Sequence, residues 1–189
     1  MKTWRTIVVL AVTVLAYSSL GCAARNVDLS QVQRPARSPK LNAFDVFVGS
    51  WTWKAEILNA DEKSRHWSGT AKWEWVLDKR CLRGTLVAKS QAQNYEASGF
   101  WSWHPTRKTY IWWMFNNWGY PQEGSATYDR SAKRWTMNYR SIGLDGTTSY
   151  GRHVLTVVDS DTLEWNAVEW ADPLRLIKKI EMQGTYKRQ

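Results

Sequence analysis

The chain has 189 residues, a formal net charge of +9 and 14 tryptophans. This length suits one domain with its own hydrophobic core, preceded by a short export segment. The basic residues are scattered over turns instead of following one stripe or helix face, which disfavours a nucleic-acid partner and is typical of a solvated surface that also suits anionic envelope polymers or lipid.

The first residues have the pattern of an export leader. Lys2 and Arg5 precede an apolar run over residues 7–17 that is too short to form a stable membrane span. The run Ser18-Ser19-Leu20-Gly21-Cys22 then resembles a bacterial lipobox, in which cleavage leaves Cys22 as an acylated first residue. We therefore predict a lipoprotein signal peptide over residues 1–21, with an ordinary secretory leader as the alternative.

The residue after the predicted lipidation site points to a location. The residue after Cys22 is Ala23 and not Asp. In this respect the sequence resembles lipoproteins that are sorted to the outer membrane. We expect the protein in the bacterial cell envelope, anchored by lipid and facing the periplasm. Because Cys22 is then acylated, we expect Cys81 to be a free cysteine buried in a strand.

A polar stretch interrupted by Pro35 and Pro39 follows, and it predicts a flexible tether over residues 22–43. From Phe44 to the end, apolar and polar side chains alternate in short segments separated by turn residues. The domain predicted over residues 44–189 is all-β. Its strands are expected at 51–57, 66–77, 81–89, 95–104, 110–115, 123–128, 134–141, 147–158, 162–168 and 178–188.

Nine or ten strands joined by hairpin turns indicate an antiparallel meander. A meander of this size usually hides its edge strands by closing into a barrel, and glycines such as Gly69 and Gly151 inside strand patterns suit a strongly bent wall. A two-sheet sandwich is the alternative fold. The strand over residues 110–115 is apolar on both faces, which predicts that both faces are covered.

Several short motifs resemble those of known barrels. They are the opening F-x-x-F-x-G-x-W at Phe44, Phe47, Gly49 and Trp51, the strand of Trp73, the Tyr128-Asp129 hairpin and the closing run over residues 183–188. Together they are similar to calycin-type domains and, more narrowly, to a bacterial lipocalin-like family of unknown function. This resemblance implies a lipocalin-like barrel with a small-molecule cavity and no specific reaction. The glycine-rich opening of nitrobindin-type haem barrels is not matched at Trp53, Lys54 and Ala55.

If the apolar faces point inwards, they form an aromatic cavity with a few polar groups. An Arg two residues from a Tyr on one strand shares its face, so Tyr150 and Arg152 would hold a carboxylate or phosphate inside. The alternative is that the tryptophans only pack a core and Arg152 pairs with Glu164. The predicted ligand-binding residues are Trp53, Trp73, Trp75, Trp101, Trp103, Tyr150, Arg152 and Tyr186, with Trp135 and Trp165 also on the lining.

Other chemistry has little support in the sequence. The histidines His66, His104 and His153 lack metal-ligand spacing, and His153, next to Arg152, faces away from the predicted lumen. No G-x-S-x-G elbow is present, and Cys81 has no histidine near it in sequence, so we assign no catalytic residue, no metal and no cofactor.

Three classes of function remain. The first is a lipid-anchored barrel that binds a small apolar or amphipathic molecule. The second is a carbohydrate or envelope-polymer binding module, which requires Trp112, Trp118, Tyr120 and Trp170 to form an exposed flat platform. The third is a barrel enzyme, which requires a titratable pair inside the cavity, with Glu74, Glu96, Glu164 and Glu169 as candidates. The first is favoured because the alternation places most tryptophans on the buried side.

Overall fold

The computed structural model describes residues 33–59 and 64–189. The predicted leader, the lipidation site Cys22 and the start of the predicted tether lie outside the described residues. Residues Arg37–Gln189 form a compact unit. This unit begins before the predicted boundary at Phe44 and holds every strand described below, so we expect it to fold without the residues that precede it.

Ten antiparallel strands close into a barrel, as the sequence predicted. Their order around the barrel follows the chain, and β1 pairs with both β2 and β10, so no edge strand is left open. The strands are β1 Gly49–Asn59, β2 Ser64–Val76, β3 Cys81–Lys89, β4 Asn94–His104, β5 Thr109–Asn116, β6 Gln122–Asp129, β7 Arg134–Ile142, β8 Thr148–Val157, β9 Thr162–Trp170 and β10 Lys178–Arg188.

A 3-10 helix over Pro39–Phe47, here called the plug helix, precedes β1. It starts at a Ser38 cap, whose side chain accepts a hydrogen bond from the backbone N–H of Lys40, and Pro39 supplies the fixed φ that suits a first helical position. Leu41, Phe44 and Phe47 are its buried residues. The segment predicted as the end of a tether and a short turn is therefore part of the barrel core.

The plug helix closes one end of the barrel, which we call the closed end. Its free carbonyls accept hydrogen bonds from side chains of the wall: the Trp51 indole donates to the Phe47 carbonyl over 2.8 Å, and the Tyr110 hydroxyl donates to the Lys40 carbonyl over 2.9 Å. Arg188 donates to the carbonyls of Val46 and Val48 and lies over the Trp51 ring. Aromatic side chains with a polar atom suit this end because they fill space and also satisfy the helix.

The outer face of β5 differs from its prediction. Trp113 and Phe115 are exposed, at 43% and 61%, whereas Trp112 on the inner face is buried. The described part of the chain therefore covers the outer face of this strand only in part. Cys81 forms no disulfide within the described residues and is half-buried at the start of β3, and burial raises the pKa of its thiol.

Candidate functional site: the barrel cavity

A cavity of about 1090 Å³ extends through the barrel from the plug helix to the loops at the opposite end. Phe44 and Phe47 form its floor, and its rim includes residues of the β3–β4, β5–β6 and β7–β8 connections and the start of β10. We call this rim the open end. The barrel interior is therefore not filled solid by side chains.

Aromatic side chains line most of the cavity wall. Trp53 and Trp165 stack with ring centroids 6.0 Å apart, and Trp101 stacks on Trp112 at 6.3 Å. The lining aromatics are Trp53, Trp67, Trp73, Tyr95, Trp101, Trp112, Trp118, Tyr120, Trp135, Tyr139, Trp165 and Tyr186, with Phe44 and Phe47 at the floor. Such a wall buries the surface of an apolar ligand well.

Six of the ten aromatic and polar residues predicted for the lining are there. Trp53, Trp73, Trp101, Trp135, Trp165 and Tyr186 all line the cavity. Trp75 and Trp103 are partly buried on the inner side but pack at the closed end, where Trp75 donates to the Asp45 carboxylate over 2.9 Å and Trp103 contacts Tyr110. They support the plug helix and do not line the cavity.

The predicted position of Arg152 is wrong, and so is that of Tyr150. Arg152 is exposed, and neither residue is among those that line the cavity. The inner face of β8 carries Ser149, Gly151, His153 and Leu155. The prediction was wrong because it assigned the Tyr150 and Arg152 face of β8 to the lumen, whereas the inward face is the one that carries Gly151 and Leu155.

The polar side chains inside the cavity include those of Tyr139, Ser149 and Glu169, and not that of Arg152 as predicted. Tyr139, Gly151 and Glu169 are register partners on three neighbouring strands. A Cβ at Gly151 would lie 1.9 Å from the Tyr139 ring, so only glycine lets this ring cross β8 towards Glu169. The Tyr139 hydroxyl lies 3.4 Å from Glu169 Oε2, and the Ser149 hydroxyl donates to Oε1 over 2.6 Å.

Phenol groups around this carboxylate are held in their neutral form. Burial raises the pKa of Tyr95 to about 12, and the negative charge of Glu169 contributes, while a hydrogen bond with Asn116 opposes it. Burial, followed by the charge of Glu169, also raises the pKa of Tyr139 well above its ordinary value. Burial also raises the pKa of Tyr186, which lies on β10 elsewhere in the lining. These hydroxyls are available as hydrogen-bond donors at neutral pH.

His153 lies inside the barrel, between the closed and open ends. Its ring contacts Trp165 edge to face at 5.0 Å, and its Nε2 has no hydrogen-bond partner among the described residues. Burial lowers the pKa of its imidazole to about 4, so the side chain is neutral at pH 7. His153 and Arg152 lie on opposite faces of β8, as predicted, but His153 and not Arg152 faces the lumen.

The four aromatics predicted for an exposed platform do not form one. Trp112 is buried and lines the cavity, whereas Trp118 and Tyr120 lie at its open end with about 37% and 38% of their surface exposed. Trp170 is half-buried, and the Arg175 guanidinium lies over its ring at 5.1 Å. The flat surface that a sugar-binding platform requires is therefore missing from this set.

Sequence reasoning missed the polar cluster and part of the wall. Ser149, Tyr139 and Tyr95 were not singled out, and Glu169 was considered only as one of several carboxylates. The available signal was that Glu169 shares a face with Trp165 and Ala167 on β9, two residues apart in each case. A lone carboxylate on an otherwise apolar face is a site candidate.

The described residues contain neither a metal-ligand cluster nor a helix that could span a membrane. Within residues 33–59 and 64–189, three or more His, Cys, Asp or Glu side chains do not gather into a group suited to a metal ion. No helix in this part of the chain has the length and apolar character needed to cross a bilayer.

Comparison with known proteins supports the fold. No protein-family model matches the chain, and no curated protein matches its sequence. Among solved structures, Rv2717c from M. tuberculosis has a TM-score of 0.62 at 13% identity, with 82% of this chain and 99% of that chain covered. The S-type phycobiliprotein lyase CPES from Guillardia theta has a TM-score of 0.55 at 10% identity, with 81% and 94% covered. The ten-stranded antiparallel barrel formed by the described residues thus has the fold of these two structures.

Proposed function

We propose that this protein binds a small apolar or amphipathic molecule inside the barrel. The observation that carries the proposal is the cavity of about 1090 Å³ between the plug helix and the open end. Its volume is slightly above the range of about 300–1,000 Å³ that is usual for small-molecule sites.

The lining of the cavity fits this role. Aromatic rings cover most of its wall, and polar side chains such as Glu169, Ser149 and Tyr139 gather in its upper part. A mainly apolar wall with a few polar groups favours burial of a ligand body and fixes the orientation of its polar end. An amphipathic ligand would lie with its apolar part towards Phe44 and its polar part towards the open end.

Native mass spectrometry beside denatured spectra tests the proposal directly. We would purify residues 23–189 under native conditions and look for an additional mass that denaturation removes. The same protein would be titrated with the neutral probe N-phenyl-1-naphthylamine. We expect saturable probe fluorescence at about one probe per chain, because the cavity replaces water around the probe with aromatic rings.

A matched variant controls for binding to the outer surface. Trp113→Leu removes an exposed ring on the outer face of β5 and should leave probe binding unchanged, whereas Trp112→Leu on the inner face should weaken it. No bound mass together with no saturable probe binding would refute a ligand-binding barrel.

We further propose that the protein is a lipoprotein of the bacterial cell envelope, anchored through Cys22 in the outer membrane. The support is the leader pattern over residues 1–21 and the lipobox-like run that ends at Cys22. The motif resemblance would then place it in the bacterial lipocalin-like family of unknown function named above. Labelling of cells with a palmitate analogue should modify the full chain and not its Cys22→Ser variant, and equal labelling of both would refute the anchor.

A further inference from the structure

One acidic side chain inside the cavity has polar neighbours but no basic one. Glu169 lines the cavity from β9, where its two carboxylate oxygens face the hydroxyls of Ser149 and Tyr139. Both neighbours are hydrogen-bond donors, so they stabilise the charged carboxylate without neutralising it.

The described residues provide no counter-ion for Glu169. None of their Lys or Arg nitrogens forms an ion pair with it within 4.0 Å. Lys179, the one Lys or Arg among the described lining residues, lies near Asp145 at the rim, where its charge helps to lower the pKa of Asp145. His153 is neutral at pH 7, so it does not supply a positive charge either.

Aromatic rings surround the same part of the cavity. Tyr95, Trp67 and Trp118 contact one another edge to face, with centroids 5.0–6.5 Å apart, and Tyr139 contacts Trp112 at 5.6 Å. Tyr95 and Tyr139 lie close enough to Glu169 for its charge to raise their pKa values. The negative faces of aromatic rings attract cations, and this attraction grows where water is excluded.

We propose that the open half of the cavity holds the ammonium group of a cationic amphiphile. Glu169 supplies the opposite charge, the rings of Tyr95, Tyr139 and Trp118 supply cation–π contacts, and the apolar tail extends towards the plug helix. This inference rests on the proposed function and adds the charge of the ligand to it. It reverses the sign predicted from the sequence, in which Arg152 would have held an anion.

A panel of three ligands with the same tail tests the proposal. Residues 23–189 would be titrated with dodecyltrimethylammonium, dodecanol and dodecanoate below their micelle concentrations, by displacement of N-phenyl-1-naphthylamine. We expect the ammonium compound to bind at least tenfold more tightly than dodecanol, and dodecanoate to bind more weakly than dodecanol. Equal affinities, or a preference for dodecanoate, would overturn the proposal.

Two variants assign the preference to Glu169. Glu169→Gln keeps the size of the side chain and should abolish the preference for the ammonium compound while leaving dodecanol affinity within about twofold. Glu164→Gln removes an exposed carboxylate from the outer face of the same strand and should change neither. Retention of the full preference by Glu169→Gln would overturn the assignment, and thermal melts of both variants would verify that they fold.

The panel also separates this inference from the function on which it rests. If dodecanol binds in the cavity without any preference for the ammonium compound, the ligand-binding barrel stands and the cationic site is refuted. If the protein binds none of the three ligands and also shows neither a bound mass nor saturable probe binding, both are refuted.

Discussion

The closed and open halves of this barrel contain the same kinds of side chain but use them differently. At the closed end, Phe44 stacks on Trp135 at 5.0 Å and meets Tyr110 edge to face at 5.1 Å, so rings fill the lumen. In the open half, rings stand along the wall beside small residues and leave a cavity. The small buried residues there are Ala97, Ser141, Ser149, Gly151 and Ala167.

The comparison shows that a tryptophan-rich inner face does not by itself make a binding site. The plug helix turns one half into a core, because it brings Phe44 and Phe47 between the strands and its carbonyls accept hydrogen bonds from the Trp51 and Tyr110 side chains. Among the described residues, no helix enters the open half of the barrel. The polar atoms there are directed at one another or at the cavity. Substitutions should therefore affect stability at the closed end and binding at the open end.

The largest effect is expected from the closed end. Phe44→Ala removes a fully buried ring from the contacts with Trp135 and Tyr110 and leaves a cavity, which should lower the free energy of unfolding by about 3–5 kcal/mol. Urea denaturation of residues 23–189 would measure it. Phe100→Ala, on the exposed outer face of β4, should cost less than about 1 kcal/mol, and equal losses in both variants would contradict the role of the plug helix as a core element.

His153 lies between the two halves and should make stability depend on pH. Its pKa falls from an ordinary 6.5 to about 4 in the folded protein, so the unfolded chain binds a proton more readily between these values. Stability should therefore be full above pH 6.5 and decrease as the pH falls towards 4, by roughly 3 kcal/mol for this group. The measurement is the free energy of unfolding at pH 7, 6, 5 and 4.

Comparison with variants isolates the contribution of this histidine. The difference in unfolding free energy between the wild type and His153→Gln should fall by roughly 3 kcal/mol between pH 7 and pH 4. His66 is exposed on the outer face of β2, so the corresponding difference for His66→Gln should stay nearly constant. A pH-independent difference for His153→Gln would contradict the burial of a neutral imidazole.

Gly151→Ala should affect both stability and the polar cluster of the open half. The new Cβ would meet the Tyr139 ring, which must move away from Glu169, at a cost of about 1–3 kcal/mol in unfolding free energy. Urea denaturation and the ammonium titration would be run on the same protein. We expect the preference for dodecyltrimethylammonium to weaken together with stability.

A control of similar size is available on the outer wall. Ser98→Ala changes an exposed residue of β4 and should leave both measurements within error. If Gly151→Ala proved as stable as the wild type with unchanged binding, the crossing of Tyr139 over β8 would not be needed for the site.

The smallest expected effect compares two neighbours on β5. Trp112→Leu removes an inward ring that contacts Trp101 and Tyr139 and should weaken probe binding about tenfold, or roughly 1.4 kcal/mol. Trp113→Leu alters the outer face and should change the dissociation constant less than twofold. Calorimetric titration suits both variants, since it does not depend on tryptophan fluorescence. A larger loss with Trp113→Leu would place the ligand outside the barrel.

The sequence by itself predicted an antiparallel meander of nine or ten strands and most of their inner faces. In β1, for example, Trp51, Trp53 and Ala55 alternate with Thr52 and Lys54, and burial follows this pattern. A period of two is a local property of extended backbone, so it can be seen in one strand without its neighbours. The hairpin turns between strands made the meander predictable for the same reason.

Only the tertiary structure decided which half is filled, which side of β8 faces the lumen and what charge lies inside. Alternation gives the face of a residue but not its depth along the barrel, so Trp75 at the closed end and Trp73 on the cavity look alike in sequence. On β8, the crossing of Tyr139 requires a glycine at position 151 on the inward face, and the adjacent Arg152 then faces outwards. The residue that imposes this requirement, Tyr139, lies on β7, so the sequence of β8 alone does not reveal it.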